Sequence, residues 1–121
     1  NGSSVGVMQI NERVWRGIYD LNRLRWNIRY NAWAGCEILD LYVTKYIEKN
    51  IKEVKNGGKI SDETLARILY AMYNGGPQEF KKFLNRKKKG KYYKSDNLFN
   101  EKFNWVKTSQ WQNIRKCLGN L

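Results

Sequence analysis

The chain has 121 residues, 41% hydrophobic and 28% charged, which suits one globular domain over 1–121 with its own core and excludes a disordered or fibrous chain. Lysine and arginine outnumber aspartate and glutamate by 23 to 11, and the formal net charge of +12 favours polyanionic partners such as nucleic acid, anionic lipid or bacterial cell wall. Histidine is absent, which excludes His-based triads and His-containing metal sites; no apolar run is long enough to span a bilayer, and no signal peptide opens the sequence, as expected of a mature product or of a chain whose front has been removed.

Asn1 to Ser4 reads as loop, and residues 5–10 form an apolar stretch interrupted by Gly6 and Gln9. A short helix is expected near 11–15, ending at Gly17, with a further helical turn inside a loop over 18–27. Residues 28–55 predict the longest helix. Ile28, Ala32, Cys36, Leu39, Val43, Tyr46, Ile47, Ile51 and Val54 recur every three or four positions, which puts them on one face. Gly35 lies inside that pattern and marks a close approach of two backbones. Asn56-Gly57-Gly58 supplies the stop. Ser61 is a good N-cap with Asp62 and Glu63 in the following turn, where the helix dipole favours acids. Leu65, Ile68, Leu69 and Met72 continue that helix to Asn74-Gly75-Gly76. Pro77 suits the first position of the next helix, which runs to about Asn85. The basic run 86–94, with Gly90 inside it, reads as a solvated loop, and short helices are expected over 98–106 and 109–118. No segment alternates as a strand should, so the class is all-α or nearly so.

Five tryptophans and eight tyrosines offer flat apolar faces with polar edges, suited to stacking on bases or sugar rings. Cys36 and Cys117 cannot build a structural zinc site between them. One disulfide and two buried small hydrophobes are both open readings. No cofactor and no metal are expected.

Two segments exceed what local structure needs. In Gly6-Val7-Met8-Gln9-Ile10-Asn11, two amide side chains interrupt an apolar stretch, and convergent amides in a cleft bind sugar hydroxyls and acetamido groups. A polar turn that satisfies its own backbone is the plainer alternative. In Ala71-Met72-Tyr73-Asn74-Gly75-Gly76-Pro77, a phenol and an amide precede two glycines that admit backbone or ligand closely. A simple helix stop explains the glycines and Pro77, but not Tyr73 and Asn74.

Gly6-Val7-Met8-Gln9-Ile10 resembles the Gly-Leu-Met-Gln-Ile motif of the soluble lytic transglycosylases, and Met72-Tyr73-Asn74-Gly75-Gly76-Pro77 resembles that family's Ala-Tyr-Asn-(Ala/Gly)-Gly-Pro motif. Between them, residues 31–39, with Gly35, are similar to the family's intermediate helix. The resemblance covers roughly 3–84 and keeps the motif order. It implies a lysozyme-like α fold with a glycan-binding groove. It also implies cleavage of the β-1,4 bond between N-acetylmuramic acid and N-acetylglucosamine with a 1,6-anhydromuramyl product. Peptidoglycan glycan strands are the implied partner, in a periplasmic, cell-envelope or secreted setting of bacterial or phage origin. By the same resemblance Gln9 lies near the scissile sugar, Tyr73 positions the catalytic acid, Met8 and Asn74 stand at the cleft wall, and Ser4 corresponds to a serine lining the site.

The family's single acid/base glutamate sits in a Glu-Ser pair upstream of the glycine motif. No Glu-Ser pair occurs here, so the catalytic residue is expected upstream of Asn1. Glu12 fits the first turn of a helix, and Glu37 fits a solvated helix face; neither is a substitute. Two alternatives stay open. One is a non-catalytic peptidoglycan- or chitooligosaccharide-binding fragment. The other is a basic nucleic-acid binder, suggested by tyrosines within the 86–94 run but without any accompanying nucleic-acid motif, so no nucleic-acid partner is expected. The same run could attract wall polymers, whose stem-peptide carboxylates and teichoic phosphates are anionic.

Overall fold

A computed structural model describes residues 3–50 and 60–119, and over these the chain is mostly helical. The chain opens with two short antiparallel strands, β1 (Ser4–Val5) and β2 (Ile10–Asn11), paired Ser4 to Asn11 and Val5 to Ile10. The tight turn over 6–9 is possible because Gly6 holds φ +74° and Gln9 takes the left-handed φ of +49°. Asn11 then caps α1 (Glu12–Trp15), its Oδ1 accepting from the Arg13 and Val14 amides. Asp20 caps α2 (Leu21–Trp26), and Asn27 caps α3 (Ile28–Tyr42) by accepting from the Tyr30 amide at 2.9 Å.

The long helix expected over 28–55 is regular only as far as Tyr42. Val43–Ile47 widens into a π-helical segment, and helix resumes over 48–50. The Thr44 hydroxyl donates to the Asp40 carbonyl at 2.9 Å, drawing on the helix's own acceptors where the widening begins. Residues 51–55, with Ile51 and Val54, and the stop at 56–58 lie outside the described residues. The buried face of α3 is also rotated from the expected one. It consists of Asn31, Ala34, Gly35, Ile38 and Tyr42, whereas Ile28 is 72% exposed and Cys36 faces solvent. The first half of that face is small and polar because the 6–9 turn lies against it beside α2.

Ser61 caps α4 (Asp62–Gly75) as expected, accepting from the Thr64 amide at 3.1 Å with Asp62 and Glu63 behind it. After the turn at Gly76, Pro77 precedes the cap Gln78 instead of starting the helix, and α5 spans Glu79–Lys89. The 86–94 run is therefore a loop only over 90–93. Its first part is the last turn of α5, closed by Gly90 in the left-handed conformation. Arg86 is the reason. It is 7% exposed and donates to both Asp96 oxygens, at 2.8 and 3.1 Å, and to Glu79 at 2.9 Å. Asp96 also accepts from the Tyr93 amide and so starts α6 (Lys94–Lys107), earlier than the expected 98. The last helix, α7 (Trp111–Gly119), follows a turn in which Ser109 adopts φ +56°.

The core gathers Leu24 from α2, Ala34 and Ile38 from α3, Ile68 and Met72 from α4, and Phe80 and Phe83 from α5. Helix α4 is the hub, packing on α3, α5 and α6, while α2 packs on α3 and α7 on α6. Among the described residues no helix is long and apolar enough to cross a membrane.

Candidate functional site

The 6–9 turn is held down by one side chain. Asn31, 1% exposed, accepts from the Met8 amide at 2.9 Å and donates through Nδ2 to the Val5 and Leu24 carbonyls at 3.1 and 3.0 Å. All three partners are backbone groups that the turn and α2 cannot satisfy by themselves. A side chain at Gly6 would overlap the Asn31 amide. Gly35, one turn along α3, leaves room for Met8: a Cβ there would stand 2.6 Å from Met8 Cγ. The close approach expected at Gly35 is thus a side chain on a helix backbone, not backbone on backbone.

From the other side, the Tyr73 hydroxyl donates to the Met8 carbonyl at 2.6 Å. Met8 is thereby gripped at three points by two helices: Asn31 of α3 on its amide, Gly35 of α3 under its side chain and Tyr73 of α4 on its carbonyl. Burial first, and then the neighbouring Tyr42 and Cys36, push the Tyr73 phenol up to about 12, so it stays a neutral donor at ordinary pH.

These segments wall a cleft of about 1140 Å³. Ser4, Met8, Gln9, Tyr73 and Asn74 all line it, together with residues the sequence did not point to: Trp15, Tyr42 and Tyr70, Gln78 beyond the glycines, and Phe99 from α6. Gln9 is exposed, and its Nε2 turns back to the Gly6 carbonyl at 3.0 Å, as the polar-turn alternative requires; its amide oxygen has no partner among the described residues. Asn74 is exposed at the rim. The aromatic members are fixed in orientation. Tyr70 stacks on Phe99 at 4.4 Å between centroids and 11° between planes, and Trp15 lies 6.4 Å from Tyr42. Helical spacing on α4 relates Tyr70 to Tyr73, a signal available in sequence; nothing in the sequence pairs Phe99 with Tyr70.

Among the described lining residues there is no aspartate or glutamate. Glu12, adjacent in sequence, is hydrogen-bonded to Arg25, which with its charge holds that carboxyl below its usual range against a modest opposing effect of burial. Glu37 is exposed and accepts from the Tyr19 hydroxyl at 2.6 Å. Burial and that bond both raise the Tyr19 phenol. Cys36 and Cys117 are free thiols and both exposed, so neither the disulfide nor the buried pair is formed. No group of three or more Cys, Asp or Glu is placed among the described residues to hold a metal. The described lining of the cleft is therefore uncharged, with amides, phenols and aromatic faces able to offer hydrogen bonds and ring contacts. No family model, curated protein or solved structure matches the chain.

Proposed function

We propose that the cleft binds the glycan strand of peptidoglycan, and that the chain is the sugar-binding part of a lysozyme-like lytic transglycosylase domain. The observation that carries this reading is the three-way grip on Met8. The three sequence segments that resemble the transglycosylase motifs are scattered from residue 6 to residue 77, yet they meet at one residue and border one cleft. Uncharged amides and phenols suit a ligand rich in hydroxyl and acetamido groups. In the proposed reaction a glutamate supplied by residues upstream of Asn1 protonates the glycosidic oxygen. The same carboxylate then takes the proton of the muramyl C6 hydroxyl as the anhydro ring closes. Tyr73 stays protonated and orients that carboxyl by turning its hydroxyl hydrogen to it from the Met8 carbonyl, while Gln9, Asn74 and Ser4 hold the sugars. The site of action is the cell envelope or beyond it.

The absence of a carboxylate among the described cleft residues favours a second reading for the chain by itself, that of a glycan-binding module without lytic activity. One experiment separates the two. The 121-residue chain, and a longer product of the same gene that includes the upstream codons, are incubated with insoluble peptidoglycan, and soluble products are identified by mass spectrometry. Sedimentation of both proteins with the wall, and anhydromuropeptides from the longer one alone, are expected. Failure of either to bind wall, or binding that DNA abolishes and chitooligosaccharide leaves intact, refutes the glycan reading.

A further inference from the structure

The helical state of the 86–89 segment changes what its lysines can do. Lys81 and Lys88, and Lys82 and Lys89, are pairs seven residues apart on α5. Each pair therefore shares a face, about 10 Å apart along the axis. All four side chains are exposed, and exposed Asn85 lies between them. Lys91 and Lys94 extend the charge past Gly90. The sequence has no acid between Glu79 and Asp96. Those two flanking carboxylates are engaged by buried Arg86, and among the described residues only Lys82 has a carboxylate within reach, Glu79 at 3.8 Å. Apart from that one contact, the stripe is a row of positive charge without an acidic partner among the described residues.

We infer that this face of α5 is a docking surface for a linear phosphodiester polymer that carries no bases, of the polyol-phosphate kind. The choice among polyanions follows from what surrounds the lysines. A single-stranded nucleic acid needs open aromatic faces for its bases. The exposed ring of Tyr93 is already covered on one side by the Arg86 guanidinium, 3.9 Å from its centroid, and Tyr92 by that of Arg67 at 4.3 Å. Stable docking on a bilayer takes apolar side chains or a lipid chain beside the cations. Of the large apolar residues of α5, Phe80 and Phe83 are 4% and 0% exposed, and Leu84 is half-buried and packed against the core. Bidentate recognition of single phosphate groups is the province of arginine. Lysines are mobile point charges, and their regular spacing suits a flexible chain of repeating single charges. The inference goes beyond the glycan reading and does not depend on it.

The test compares a stripe variant, Lys81→Gln with Lys82→Gln, Lys88→Gln and Lys89→Gln, with a control carrying Lys45→Gln, Lys49→Gln, Lys107→Gln and Lys116→Gln. Both lose the same charge, and glutamine matches lysine in helix propensity, so thermal unfolding should report both as folded. The probe is deacylated poly(glycerol phosphate), titrated at several salt concentrations, with single-stranded DNA and phosphatidylglycerol-containing vesicles as comparison arms. The stripe variant is expected to bind the polymer at least tenfold more weakly than the control at about 0.1 M salt. The slope of log K against log salt should become shallower by roughly 3, about 0.7 for each lysine–phosphate pairing removed. Equal losses in the two variants would mean that net charge alone is read. Unaltered binding by the stripe variant, or DNA or vesicles binding as tightly as the polymer, would equally overturn the inference.

Discussion

Asn31 is the residue whose loss should cost the fold and the site most directly. Asn31→Ala removes one acceptor and two donors from a position that is 1% exposed. The Leu24 carbonyl is fully enclosed, so leaving it unpaired costs about 1–3 kcal/mol. The Met8 amide and the Val5 carbonyl are only partly buried and regain water, at about 0.5–1.5 kcal/mol each. The total, about 2–6 kcal/mol, compares with a stability of about 5–15 kcal/mol for a domain of this size. Urea unfolding followed by tryptophan fluorescence measures it. Asn27→Ala is the matched control, because Asn27 starts the same helix with a single exposed cap bond and should cost only about 1 kcal/mol. Asn31→Asp keeps the shape but turns a carboxylate oxygen toward two carbonyls, and should be at least as damaging as alanine at pH 7. The 6–9 turn loses its anchor in both variants, so the environment of Tyr73 should change with stability. If Asn31→Ala lies within about 0.5 kcal/mol of wild type, the scatter of ordinary surface substitutions, Asn31 does not hold the turn and the three bonds are not what fixes it.

Gly35→Ala gains about 1 kcal/mol of helix propensity but overpacks Met8 at about 1–3 kcal/mol, so net destabilisation is expected by urea unfolding. In a Met8→Ala background the cost should shrink without vanishing, because the Met8 Cβ itself stands 2.7 Å from the new methyl position. Tyr73→Phe should remove one phenol that ionises near pH 12 from the ultraviolet titration. Since that folded value lies above the unfolded one near 10, the stability it contributes is fully present below about pH 10 and is lost as pH rises toward 12; loss of a normally titrating phenol instead would mean that Tyr73 is not buried in solution. Asp96→Ala leaves the Arg86 guanidinium short of its bidentate partner and should cost about 3–5 kcal/mol, whereas replacing Arg86, Asp96 and Glu79 together by apolar residues should cost far less. Equal losses in the single and triple variants would argue against a buried ion network.

Much of the helical order was legible because it rests on local rules. Ser61 with Asp62 and Glu63, and the glycines after Asn74, mark the two ends of α4 in the sequence as they do in the structure. What was not legible depended on partners distant in the chain. Apolar periodicity chose Ile28, Ala32 and Cys36 for the inner face of α3, but the inner face had to feed hydrogen bonds and space to the 6–9 turn, and so uses Asn31 and Gly35. An amide at helical spacing from a glycine was a usable signal, and it was outvoted by hydrophobicity. The basic run read as loop because six of its nine residues are cationic, yet Phe80, Phe83 and Arg86 repeat every three residues and share the buried face of α5. Only the arrival of Asp96 makes an arginine acceptable there. Tyr73 and Asn74 stood out in sequence because a helix stop did not need them; Tyr70 and Gln78 did not, nor did Phe99, which reaches the cleft through its stack on Tyr70.

Whether the cleft cuts or only holds turns on the setting it offers a carboxyl. A single-carboxyl acid/base needs an enclosed, apolar setting that keeps it protonated until it is used. The nearby described carboxylates have the opposite setting. Arg25 keeps Glu12 ionised, Glu37 lies in solvent with a phenol as donor, and Glu79 serves Arg86. The required setting is present in the cleft, where Ile38, Leu39 and Leu69 supply apolar wall and Tyr73 a phenol that remains protonated to about 12. A carboxyl brought against that wall would be raised by desolvation, and Tyr73 would orient it by turning its single hydroxyl hydrogen from the Met8 carbonyl to the carboxyl. On the proposed reading, an acid brought to that wall from outside the described residues would be activated there, and a lytic product from a longer polypeptide that supplies it, but not from this chain, is the expected outcome.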